Sequence, residues 1–167
     1  EEDGVNASEL GPSGTLTINA SERIEVSGSR RLNAELVNSQ LFTRAEGSGA
    51  AGNLIINATQ DSDLIILVRD GAEISANTEQ STGGNIIVNN PNVILLRTGG
   101  RITAASSSSL RDGNSGNITI AMPDGFVVSV PDENSDIVAN AIEGAGGNIT
   151  ITAQGIFNLV ERPLNDI

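Results

Sequence analysis

The stretch Gly147-Asn148-Ile149-Thr150-Ile151-Thr152-Ala153 decides the fold, because it recurs upstream. It appears as Gly116-Asn117-Ile118-Thr119-Ile120-Ala121-Met122 and as Gly84-Asn85-Ile86-Ile87-Val88-Asn89-Asn90. Earlier copies are Gly52-Asn53-Leu54-Ile55-Ile56-Asn57-Ala58 and Gly14-Thr15-Leu16-Thr17-Ile18-Asn19-Ala20. The offsets between the five copies are 38, 32, 32 and 31 residues, so one repeated unit covers nearly the whole chain. Self-similarity at such a period marks an array in which each unit buries its apolar face against its neighbours.

Within each copy apolar residues alternate with polar ones, as in Ile118 and Ile120 or Ile149 and Ile151, which is the period of a half-buried strand. A second apolar pair follows: Ile24 and Val26, Leu64 and Ile66, Ile94 and Leu96, Phe126 and Val128, Phe157 and Leu159. In the second unit this pair comes two residues late, after an insertion in Thr59 to Asp63. A third strand is expected at Leu41 to Thr43, Ile74 to Ala76, Ile102 to Ala104 and Ile137 to Ala139, with an excursion through Arg30 to Asn38 in the first unit. Asp70-Gly71, Gly99-Gly100, Asp112-Gly113 and Asp124-Gly125 signal turns. Near-identical strands at a fixed offset bury best on their own copies, which gives parallel pairing. The expected fold is therefore all-β, a parallel β-helix of about five coils of 31–38 residues with three short strands each. Residues 1–13 are expected to form a lead-in and residues 14–167 a single repeat array.

Composition narrows the function. The chain has 167 residues, a net charge of −12, and no Lys, His, Cys, Trp or Tyr. Triads built on His or Cys, Cys/His zinc sites, Schiff-base lysines and disulfides are thereby excluded. Phosphates would be repelled, and Phe42, Phe126 and Phe157 are the only aromatic platforms, so no nucleic-acid partner is expected. No stretch approaches the roughly 20 apolar residues of a membrane span. The acidic start Glu1-Glu2-Asp3-Gly4 does not read as a signal peptide.

Candidate sites are few. Asn53, Asn85, Asn117 and Asn148 follow the repeat glycine, and stacking would set them in an amide ladder at a corner. Asp132, Asn134 and Asp136 form an oxygen-rich loop, the one calcium candidate. That loop lacks both the calcium-roll nonapeptide and the EF-hand pattern, and a solvated loop is the preferred reading. Asp61, Asp63 and Asp124 could share a face suited to glycoside hydrolysis, but neither Asp nor Arg recurs at matching positions. No catalytic residue and no cofactor is assigned. Sequons at Asn6, Asn19, Asn57, Asn117 and Asn148 follow from the repeat or from loop composition, and Arg30-Arg31 and Ser106 to Ser109 read as loop chemistry.

The run Gly146 to Phe157, preceded by Pro131 to Ala141, resembles the repeat region of cyanobacterial filamentous-haemagglutinin-like exoproteins; Arg23 to Gly28 and Leu67 to Ala76 fit the same pattern. The resemblance covers the chain from Gly14 onward. It implies a right-handed parallel β-helix, exported through a dedicated outer-membrane two-partner transporter and acting as a surface adhesin or filament shaft. No amino-terminal secretion-recognition domain is visible. The expected function is a non-enzymatic structural segment of a secreted, cell-surface or filamentous protein. End-to-end stacking into a homo-oligomer and a cell-surface or carbohydrate ligand are the expected further contacts. The alternative is a carbohydrate-binding or polysaccharide-processing β-helix. Arg30 to Asn38, Glu79 to Thr82 and Ser106 to Asn114 are the segments expected to present side chains.

Overall fold

A computed structural model describes residues 12–33, 35–60, 62–108 and 113–159. Most of the lead-in, Asn6, Asp61, Ser109 and Asp112 lie outside the described residues. Among the described residues the protein is all-β, with no helix and with mostly parallel strands. The strands are β1 (Leu16–Ala20), β2 (Arg23–Ser27), β3 (Ser29–Leu32), β4 (Glu35–Asn38), β5 (Gln40–Ala45), β6 (Leu54–Ala58) and β7 (Ile65–Arg69). They continue as β8 (Glu73–Thr78), β9 (Ile86–Asn89), β10 (Val93–Leu96), β11 (Arg101–Thr103), β12 (Ile118–Ser129), β13 (Asp136–Val138) and β14 (Ile149–Phe157).

Each of the parallel strands pairs with its counterpart in the adjacent repeat. Leu16 faces Leu54, Leu54 faces Ile86, Ile86 faces Ile118 and Ile118 faces Ile149. A second row runs Ile24, Ile66, Ile94, Val127, Ile156, and a third runs Leu41, Ile74, Ile102, Ile137. Strand β12 passes through both of the first two rows, and so joins them in one eight-stranded sheet. The four strands of the third row make a separate sheet. Among the described residues only β3 and β4 pair antiparallel, as a hairpin in the Arg30–Asn38 excursion, with Leu32, Leu36 and Val37 exposed.

The core fills the space between the rows. Leu54, Ile56, Ile66, Ile74, Ile86, Ile94, Ile102, Ile118 and Ile120 are fully buried, while Leu16, Ile24, Ile149 and Ile151 in the outermost repeats are only partly covered. The expected register of the second row is corrected in three units, each time because a corner differs in length from its neighbours. In the fourth unit the corner Met122 to Gly125 holds one residue more than Asn90 to Asn92, and the register shifts between Met122 and Phe126. A one-residue slip turns every following side chain to the other face. Val127 and Ser129 therefore point inward, Phe126 and Val128 outward. In the fifth unit the corner, Ala153 and Gln154, is instead one residue shorter than Asn90 to Asn92, so Ile156 rather than Phe157 continues the inward row, while Leu159 is buried as expected. In the second unit the insertion is larger than expected: Ile66 and Val68, not Leu64 and Ile66, stand in register with Ile24 and Val26.

A glycine stands where the first row begins in each unit. A methyl group on Gly52, Gly84, Gly116 or Gly147 would lie closer than 3.0 Å to the carbonyl oxygen of the glycine one repeat earlier. Adjacent repeats thus touch backbone to backbone at this point, which no side chain permits.

Candidate functional site

The repeated polar residues are used to hold repeats together. The side-chain oxygen of Asn53 accepts the backbone N–H of Asn85 at 3.0 Å and its side-chain NH2 at 3.1 Å. Asn85 receives the same two bonds from Asn117, at 2.9 and 3.2 Å, and Asn117 accepts the backbone N–H of Asn148 at 2.9 Å. The structure therefore brings all four asparagines into one column. The oxygens of Asn53, Asn85 and Asn117 also cap main-chain donors, a role that side-chain pairing alone did not suggest.

A second column was missed by sequence reasoning. Asn57 donates to Asn19 at 2.9 Å and Asn89 donates to Asn57 at 2.8 Å. Its signal was present, since an Asn closes three of the five copies five residues after the glycine. In the third sheet, Asn77 accepts from Thr103 Oγ1 and from the Ala105 N–H, both at 2.9 Å.

Charge is paired across repeats. Arg69 and Arg97 each follow directly on the paired residues Val68 and Leu96, so an arginine does recur on neighbouring repeats, contrary to expectation. Arg97 holds Glu133 with two bonds of 2.7 and 2.8 Å, and the Thr98 N–H adds a third at 2.9 Å. The guanidinium first, and the N–H second, hold the Glu133 carboxyl at about 2 against an ordinary 4.5. Glu25 is lowered in the same direction by Arg23 and then Arg69.

The oxygen-rich loop wraps around this pair. Asp132 and Asn134 adopt left-handed backbone angles of 64° and 52°, which shape the turn, and Asp136 is 3.3 Å from Arg101. Among the described residues no three acidic side chains converge as a metal site would need. Asp63 accepts a bond from Asn92 at 3.0 Å, and Asp124 lies on the corner of the next repeat, beside Asn92 in a shallow groove.

The pH dependence of the Arg97–Glu133 pair follows from sign. A carboxyl whose pKa is depressed on folding adds stability above its unfolded value, and that stability is lost as pH falls toward the folded value. Glu133→Gln is therefore expected to destabilise the protein at neutral pH. The gap between wild type and variant should close as pH falls from about 4.5 to about 2, read from urea midpoints at each pH. A gap independent of pH would contradict the assignment.

On the outer face of the third sheet, Phe42 is 49% exposed. It sits in a shallow groove with Gln40, Arg44, Asn77, Glu79 and Ser107. The groove's two charged side chains, Arg44 and Glu79, pair with each other, and Gln40 donates a hydrogen bond to Glu73 beside it. Glu79 and Ser107 come from two of the segments expected to present side chains. Among the described residues no helix is long and apolar enough to cross a membrane. Comparison with known proteins gives no match, whether with a family model, a curated protein or a solved structure.

Proposed function

We propose that the chain is a right-handed parallel β-helix serving as a non-enzymatic structural segment of a secreted adhesin or extracellular filament. The observation that carries this reading is that every row grows by pairing a strand with its own copy in the next repeat. Parallel crossovers are right-handed in about 98% of cases, which supports that hand. The repeated residues support a structural role, because the glycine column and both asparagine columns make contacts between repeats. Export as an extended chain through an outer-membrane transporter suits a protein with no cysteine to cross-link. The oxygen-rich loop is a corner tied by Arg97 and Arg101. Antibody raised to this segment should label intact cells of the producing organism, or fibres shed from them. Labelling only after the cells are opened would reject the reading.

The Phe42 groove favours a second reading, carbohydrate binding. A sugar ring presents an apolar C–H face to an aromatic ring and hydroxyls to planar polar side chains, and the groove offers both. Its matched charges suit a neutral oligosaccharide. Phe42→Ala is expected to weaken binding of such a glycan on an array by about tenfold or more. Equal binding by the variant, or none by either protein, would remove this reading.

A further inference from the structure

One glycine of the column meets no close neighbour among the described residues. A methyl group on Gly14 would meet nothing within 4 Å, whereas its four counterparts each face the carbonyl of the preceding repeat. The vacant side of Gly14 is the side on which such a carbonyl would sit. At the other end, Gly147 offers its carbonyl, and the Asn148 side-chain oxygen lacks the N–H donor that Asn53, Asn85 and Asn117 each accept.

We infer that the Gly14 end of one molecule docks on the Gly147 end of a second copy, extending the array head to tail. This rests on the β-helix reading above and specifies its partner and its joint. Gly14 would close over the Gly147 carbonyl as Gly52 closes over that of Gly14. The Thr15 N–H would donate to Asn148 Oδ1, and the Ile149 N–H to the Thr15 carbonyl, as the Leu54 N–H donates to Asn85 at 2.9 Å. Leu16 and Ile18 would meet Ile149 and Ile151, all of them only half-buried in one molecule. Ile156, 42% exposed although it continues an inward row, would be covered.

The edges themselves support the inference. Exposed edge strands ordinarily carry charges or proline to block pairing with another chain. In a chain of net charge −12, β1 and β14 contain no ionisable residue and no proline. Among the described residues no strand pairs with the outer edge of β1 or of β14, which leaves both available for β-augmentation.

The test is sedimentation velocity from dilute to concentrated solution on the wild-type chain, Gly14→Val and Asn148→Ala. Wild type should form an open-ended series of species that grows with concentration. Gly14→Val should weaken association by at least about tenfold while leaving the thermal midpoint of the dilute monomer unchanged, since the new side chain meets none of the described residues. Asn148→Ala, which removes an oxygen that accepts nothing among the described residues, should act in the same direction. A wild type that stays monomeric throughout, or variants that associate as wild type does, would overturn the inference. Either result would leave the cell-surface reading standing, because that is tested by labelling.

Discussion

Gly84→Ala is expected to be among the most damaging single-methyl additions this chain can suffer, with a loss above about 4 kcal/mol. The new methyl would fall closer than 3.0 Å to the Gly52 carbonyl oxygen, a backbone atom with no rotamer to yield. Relief requires the second and third repeats to move apart. That would lengthen the bonds from Asn85 to Asn53 and loosen the packing of Ile86 on Leu54. The same substitution at Gly14 should change stability by no more than about 0.5 kcal/mol. Urea melts of the two variants side by side check the prediction, and similar losses at both positions would contradict it.

The second large effect contrasts two isoleucines of one row. Ile120 and Ile151 face each other in register, but Ile120 is fully buried between repeats while Ile151 is covered on one side only. Ile120→Ala should destabilise by about 2–5 kcal/mol, through lost transfer energy and a cavity that the neighbouring repeats cannot collapse. Ile151→Ala should lose roughly half as much, because none of the described strands lies on its outer side and it is only partly buried. Denaturant midpoints distinguish the two, provided the slope of the transition is unchanged. Equal losses would mean that something covers the last repeat as well as Met122 and Ile120 are covered.

The first strand of each unit was legible in the sequence because glycine, asparagine and alternating isoleucines recur together, and three physical constraints coincide there. A backbone contact requires the glycine, a corner requires the amide, and the core requires the alternation. The third row was legible for the last reason alone. The second row was not, in three units. Its register depends on the length of the preceding corner, and Met122 to Gly125 differs from Asn90 to Asn92 by one residue without any change in turn chemistry that announces it. Phe126 and Phe157 misled for the same reason. They look like core residues but meet each other on the outer face, with ring centroids 6.0 Å apart, where Gly155 leaves room for both.

The polar features divide in the same way. The column at Asn53 to Asn148 was visible as a repeat, whereas the Arg97–Glu133 pair joins residues 36 positions apart and no periodicity connects them. The Phe42 groove was hidden because its residues come from two strands and a loop of different repeats, and none of them recurs.

Every prediction above depends on repeats stacked in register, and one distance tests that most directly. Thr17 and Thr150 are exposed residues of the first and last strands of one row, linked through Ile55, Ile87 and Thr119. Four steps of about 4.8 Å place their Cα atoms roughly 19 Å apart. Spin labels at Thr17→Cys and Thr150→Cys, measured by double electron–electron resonance on protein diluted with unlabelled chain, should give a single narrow distribution near that separation. A broad distribution, or one centred well beyond about 30 Å, would show that the repeats do not stack in this order, and the account would fall.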